Sequence, residues 1–179
     1  MKNITIFGGS LPRPGDPAYE EAQRLGRLLA QSGYTVITGG YIGTMEAASR
    51  GASEAGGHVI GVTCDEIEAY RPGKPNPWVK EELRVPSLRD RIYTLMVTGE
   101  AALALPGGLG TLAEISSMWN HMLIHAVAPR PLILIGASWE QTMQIFINNF
   151  YSYIPSGQQN LLQYAPDIET AVEILNGSR

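Results

Sequence analysis

Residues 101–111 read Ala-Ala-Leu-Ala-Leu-Pro-Gly-Gly-Leu-Gly-Thr, a short apolar run that leads directly into a glycine-rich turn. Small and aliphatic residues in such a run, bounded by turn residues, predict a buried β-strand. Beyond Gly110 the apolar residues recur every three or four positions, which predicts a helix. The stretch therefore predicts a strand, a tight turn and a helix in direct succession. The helical stripe consists of Leu112, Ile115, Met118, Trp119, Met122 and Leu123.

The same alternation of short apolar runs with helical periodicity continues on both sides of this stretch. Strands that alternate with helices form a parallel sheet with helices on its faces. We therefore expect one Rossmann-like α/β domain spanning residues 1–179, with a doubly wound parallel sheet of strand order 3-2-1-4-5. The predicted strands are Ile4–Phe7, Thr35–Thr38, His58–Val62, Ala101–Leu105 and Leu132–Ile135.

Capping and turn residues mark the boundaries of the predicted helices. Asp16 is a favourable N-cap and Pro17 a favourable first residue for a helix that stops at Gly33. Gly56 and Gly57 close a second helix in the same way. This second helix is expected at residues 44–55, and further helices are expected at 87–98, after 110 and from 138 onward.

Two details of this arrangement bear on a functional site. Arg91 is predicted to lie at the rim of the apolar stripe of the 87–98 helix. The stretch between Cys64 and Val85 contains several prolines and shows no clear period, which predicts a long loop. Loops of this length often act as lids over a ligand.

The composition limits the partners of the chain. A net charge of −4 with 13 Lys and Arg residues disfavours a wide nucleic-acid footprint, and no apolar run approaches the roughly 20 residues of a membrane helix. Cys64 is the only cysteine, which excludes an internal disulfide framework. The apolar stretch at residues 4–7 is too short for a secretory signal, so we expect a cytoplasmic location. His121 and His125 have i, i+4 spacing on one predicted helix, but no third ligand is evident. We therefore expect neither a metal nor another cofactor.

Two glycine-rich turns precede predicted helices and resemble each other. One spans residues 38–44 and is followed by Glu46; the other spans residues 106–111 and is followed by Glu114. Glycine lets the backbone approach a ligand closely, and the free N–H groups and positive dipole end of a helix attract an anion. Taken alone, such a turn is explained equally well by tight chain reversal or by phosphate binding.

The expected position of the turns in the sheet favours phosphate binding. In a doubly wound sheet the ligand crevice opens outside the carboxyl ends of strands 1 and 4, which here run into residues 8–10 and 106–108. The sequence lacks both G-x-G-x-x-G and the P-loop lysine motif, which disfavours NAD binding and ATP hydrolysis. The predicted phosphate- or nucleotide-binding residues are Gly8, Gly9, Ser10, Gly39, Gly40, Gly43, Pro106, Gly107, Gly108, Gly110 and Thr111.

The pattern Pro-Gly-Gly-x-Gly-Thr-x-x-Glu at residues 106–114 resembles the signature of the LOG-type proteins, the cytokinin-activating nucleoside 5′-monophosphate phosphoribohydrolases. The similarity extends from residues 8–10 through Gly39-Gly40-x-x-Gly43 to the helix after Thr111. The resemblance implies that Arg91 and Glu114 are catalytic and that the 106–111 turn holds the 5′-phosphate. The implied reaction converts a purine nucleoside 5′-monophosphate into free base and ribose 5-phosphate.

The residues are compatible with this chemistry and leave alternatives open. A carboxylate at Glu114, one turn into the helix, would stabilise an oxocarbenium-like ribose; without the glycine turn it would be an ordinary solvated glutamate. Arg91 would pair with Glu114 or with phosphate, or lie on the surface. The wider superfamily includes molybdenum-cofactor carriers that bind without hydrolysis, and Glu46 favours that class. The wide apolar face of helix 111–125 predicts either a homodimer contact or a well-covered internal helix.

Overall fold

The structure is a computed structural model that describes residues 2–155 and 157–177. It forms a single-domain α/β fold, as the sequence predicts. The predicted domain of residues 1–179 includes four positions outside the described residues, namely Met1, Ser156, Ser178 and Arg179.

All strands of the described chain belong to one parallel sheet of order β4-β3-β2-β1-β5-β6-β7. The predicted order is confirmed at the centre of the sheet, and each edge carries one additional strand. Because β1 pairs with both β2 and β5, the order reverses at the β1–β5 pair, where a ligand crevice is expected. The strands are β1 Asn3–Phe7, β2 Thr35–Thr38, β3 Val59–Cys64, β4 Glu81–Val85, β5 Ala101–Ala104, β6 Leu132–Ile135 and β7 Leu162–Ala165.

Helices cover both faces of the sheet because the buried strands carry apolar residues on both sides. In β1, Ile4 and Ile6 face the layer of α1, α2 and α7, whereas Phe7 faces the layer of α4, α5 and α6. None of the helices in the described residues is both long and apolar enough to cross a membrane. The helices are α1 Pro17–Gln31, α2 Thr44–Glu54, α3 Asp65–Tyr70, α4 Leu88–Thr98, α5 Leu109–Leu123, α6 Ala137–Asn149 and α7 Ile168–Gly177.

The prediction of one long loop between Cys64 and Val85 is wrong. This stretch contains helix α3 and strand β4, joined by residues 71–80. Strand β4, Glu-Glu-Leu-Arg-Val, lies at the sheet edge and is largely exposed, so it lacks the apolar run of a central strand. Strand β7 at the opposite edge was not predicted for a related reason, since Gln163 and Tyr164 interrupt its apolar pattern.

Candidate active site

Three turns meet at the carboxyl edge of the sheet, where the strand order reverses. The N–H of Gly9, after β1, donates to the carbonyl oxygen of Pro106 after β5 at 3.3 Å. The N–H and the hydroxyl of Thr44, at the start of α2, both donate to the carbonyl oxygen of Gly9, at 2.9 and 3.0 Å. The predicted turns are therefore parts of one junction.

Several glycines are required at this junction by close packing. A Cβ atom on Gly8 would collide with Thr44, and one on Gly107 would collide with Thr111. Gly43 has a φ of +75° and leaves no room for a Cβ beside the backbone of Ser10. Because these glycines lack a side chain, the turns can lie in contact, so the glycines are required by the fold itself.

The start of α5 has the geometry expected of an anion cradle. A Cβ on Gly108 or Gly110 would meet no atom within 4 Å, so open space lies beside both residues. The N–H of Leu112 bonds to the Gly108 carbonyl at 3.0 Å, whereas the preceding N–H groups of the first turn have no intrahelical acceptor. Thr111 is buried at 3% exposure below them. This helix start therefore combines open space with N–H donors, the two features that an anion site requires.

Arg91, predicted at the rim of the apolar stripe of α4, is buried at 5% exposure, which excludes the alternative of a surface arginine. Its Nε donates to the carbonyl oxygen of Val62 at 2.7 Å, and one terminal nitrogen donates to that of Gly39 at 2.9 Å. The carboxyl ends of β2 and β3 therefore supply the acceptors that make burial of the guanidinium tolerable. Periodicity marks the direction of a side chain, but it does not reveal acceptors on other elements.

Glu114 faces Arg91 from helix α5. Its Oε1 lies 3.7 Å from Nη1 of Arg91, and its side chain is only 12% exposed. Burial raises the pKa of Glu114 from 4.5 to about 7, while the positive charge of Arg91 opposes the shift. At neutral pH this carboxyl group is available in both its protonated and its ionised form.

The turn after β2 supports Arg91. Gly39 supplies an acceptor for the guanidinium, and the Tyr41 ring lies 5.5 Å from it. The carbonyl oxygens of Gly40 and Tyr41 accept hydrogen bonds from the Asn76 side chain at 3.0 and 2.9 Å. Sequence reasoning missed Asn76, whose signal was limited to an asparagine between two prolines.

The prediction that His121 and His125 lie one turn apart on a single helix is wrong. Helix α5 ends at Leu123, and His125 adopts a left-handed conformation with a φ of 58°. Within residues 2–155 and 157–177, no three His, Cys, Asp or Glu side chains are grouped as metal ligands.

An apolar groove of about 680 Å³ lies between α5, α6 and the segment after α6. Most of the apolar stripe of α5 packs against the sheet of its own chain, with Ile115 and Met118 almost completely buried. The stripe is therefore mainly internal, whereas Leu112, Phe146 and Tyr153 line the groove with exposed apolar surface.

Comparison with known proteins places the chain in a family. The model of the SLOG cluster4 family matches residues 1–149. A cytokinin riboside 5′-monophosphate phosphoribohydrolase of Rhodococcoides fascians is 30% identical over 138 residues, which cover 75% of this chain and 68% of that protein. A probable cytokinin riboside 5′-monophosphate phosphoribohydrolase of Oryza sativa subsp. japonica is 29% identical over 98% of this chain and 78% of its own length.

A solved structure with the same fold is the molybdenum cofactor binding protein of the phototrophic bacterium Rippkaea orientalis. The two chains superpose with a TM-score of 0.77 at 24% identity, over 98% of this chain and 96% of the other. At this identity the likeness establishes the fold.

Proposed function

Because this chain belongs to the SLOG cluster4 family and to the LOG-type proteins, we propose that it hydrolyses the N-glycosidic bond of a nucleoside 5′-monophosphate. The products are the free base and ribose 5-phosphate. A purine is the proposed base.

The observation that carries the proposal is a buried Glu114–Arg91 pair beside a helix start with unpaired N–H groups. Glu114 follows Gly110 by four residues, a rise of about 6 Å along the helix axis, comparable with the length of a ribose 5-phosphate. A 5′-phosphate bound at residues 108–111 therefore brings its ribose alongside the carboxylate. The proposed phosphate contacts are the N–H groups of this turn and the Thr111 hydroxyl.

Each member of the pair has a distinct proposed role in bond cleavage. The ionised form of Glu114 stabilises the positive charge that develops on the ribose, and it orients the attacking water. Arg91 favours this ionised form through its charge and keeps the carboxylate in place. Water adds to the anomeric carbon, and the base leaves with the bonding electron pair and takes up a proton.

Arg91 and Glu114 are therefore the proposed catalytic residues, and no cofactor is part of the proposed reaction. Gly107 and Gly8 keep the turns close enough for the cradle to form, whereas Gly39 supports Arg91. Gly40 faces β3 and Asn76, so its proposed contribution to nucleotide binding is indirect.

A panel of nucleoside 5′-monophosphates, assayed for ribose 5-phosphate and free base, tests the reaction. We expect release of both products in equal amounts from at least one purine nucleotide, and much less from the corresponding nucleoside without phosphate. Tight binding of a larger phosphorylated ligand, with no ribose 5-phosphate from any nucleotide, would instead establish the non-hydrolytic carrier.

The sequence feature that favoured a carrier has a structural explanation. Glu46 accepts a hydrogen bond at 3.1 Å from the hydroxyl of Tyr19, whose side chain is almost completely buried. The presence of Glu46 in the first turn of α2 is therefore accounted for by contact between α1 and α2. The hydrolase remains the proposed function, with the carrier as an outcome of the nucleotide assay.

The proposed partners are a small nucleotide and a second copy of the chain. The exposed apolar residues of the groove, among them Phe146 at 45% and Tyr153 at 83% exposure, are the proposed homodimer contact. The net charge of −4 argues against a nucleic-acid partner, which we propose the chain lacks. A nucleotide substrate fits the proposed cytoplasmic location.

A further inference from the structure

The aromatic ring of Tyr41 forms one wall of the Arg91 site. Tyr41 is 5% exposed, and the guanidinium carbon of Arg91 lies 5.5 Å from its ring centroid. Its hydroxyl oxygen accepts a hydrogen bond from the N–H of Cys64 at 2.9 Å and lies 3.2 Å from the Cys64 carbonyl oxygen. Because the ring is buried among its neighbours, it presents a fixed face to the cation.

The turn that carries Tyr41 is held from outside by Asn76. The Asn76 N–H and side-chain amide donate to the Gly40 carbonyl at 2.8 and 3.0 Å, and the amide also donates to the Tyr41 carbonyl at 2.9 Å. Asn76 is buried at 7% exposure, and its own amide oxygen accepts from the Trp78 N–H. The segment after α3 is thereby anchored to the turn whose Gly39 carbonyl binds Arg91.

We propose that Tyr41 is a positioning residue that keeps the Arg91 guanidinium directed at Glu114, and that Asn76 holds the Tyr41 turn in place for this task. The ring covers one face of the guanidinium, and the Gly39 and Val62 carbonyls bind two of its edges. Together they leave Nη1 of Arg91 directed at Oε1 of Glu114. The catalytic consequence of this positioning rests on the proposed function, whereas the positioning itself does not.

The first test compares Tyr41→Leu with Tyr41→Phe. Leucine removes the aromatic face, whereas phenylalanine keeps the face and removes only the hydroxyl contacts with Cys64 and Glu68. The pKa of Glu114 is read by carbon NMR of carboxyl-labelled glutamate, with Glu114→Gln used to assign its signal. Arg91 is the charged group that faces Glu114, and Glu68 faces Tyr41 from α3.

We expect Tyr41→Leu to raise the pKa of Glu114 by about one pH unit, because a less ordered cation favours the ionised carboxylate less. Tyr41→Phe should keep the original value. In an active enzyme the leucine variant should then lose about fivefold in turnover at pH 7 and recover most of that loss at pH 9. An unchanged NMR titration in a folded Tyr41→Leu protein would overturn the proposal.

The second test removes the anchor at Asn76. Asn76→Ala should raise the pKa of Glu114 in the same direction, whereas Asn148→Ala, an exposed asparagine of α6, should leave it unchanged. An Asn76→Ala protein that titrates like the Asn148→Ala control would contradict the role of the anchor. Because the NMR titration needs no turnover, a protein that hydrolyses no nucleotide still tests the positioning.

Discussion

A Glu114→Gln substitution replaces a buried carboxyl group by a neutral amide of nearly the same shape. In the unfolded chain the carboxyl ionises near pH 4.5, whereas burial raises its pKa to about 7 in the folded protein. Between these values the folded state holds more protons than the unfolded state. The folding stability contributed by this group therefore falls as the pH rises through this window.

The size of the effect follows from the two pKa values. A difference of about 2.5 pH units, at about 1.4 kcal/mol each, predicts a cost of about 3 kcal/mol for ionising Glu114 in place. The full cost applies above pH 7 and disappears below pH 4.5. A glutamine side chain cannot ionise. The free energy of unfolding of the variant, relative to that of the parent protein, should therefore rise by about 3 kcal/mol as the pH rises from 4.5 to 7. For a chain of this size this corresponds to roughly 6–12 °C in Tm.

Urea unfolding of both proteins between pH 4.5 and pH 8 measures this difference. Glu173→Gln is the matched control, because Glu173 is exposed on α7 and its replacement should give a small and nearly constant difference. A stability difference between Glu114→Gln and the parent that does not change with pH would refute the buried, proton-binding carboxyl described above.

The same substitution separates binding from catalysis. If the ionised carboxylate stabilises a ribosyl cation, turnover should fall by on the order of 10²-fold or more, while nucleotide affinity changes little. A more stable and less active variant is then expected, since the buried charge lowers stability and serves the reaction. Full activity of Glu114→Gln would show that the carboxylate has no part in the chemistry.

Three further predictions concern pH, the phosphate cradle and the dimer. The kcat/KM profile should rise with pH through a value near 7, where Glu114 ionises, and a flat profile from pH 5 to 9 would exclude this assignment. Gly108→Ala should keep Tm nearly unchanged but raise KM at least several-fold, because the added Cβ enters the open space of the cradle. Gly107→Ala should instead lower Tm, because its Cβ clashes with Thr111. Equal KM values for Gly108→Ala and the parent protein would contradict the cradle. Light scattering at micromolar concentration should give a dimer that Phe146→Glu dissociates, and a monomeric parent protein would refute this contact.

Strong local patterns were enough to predict the central part of the fold. The runs at residues 4–7, 35–38 and 132–135 are apolar because helices bury both faces of these strands, so their type and order follow from the sequence. The edge strands β4 and β7 escaped prediction, because a less buried strand can carry polar residues.

The sequence by itself determined which turn lies at the crevice and which carboxylate stands beside it. Glycines before a helix have local consequences, and Glu114 is tied to the 106–111 turn by helical spacing alone. Only the tertiary structure decided that Arg91 is buried and reaches Glu114, and that Tyr41 and Asn76 surround it. These contacts join four separate elements through backbone carbonyls, a ring face and an amide. No local pattern specifies such acceptors, because they come together only when the sheet has formed.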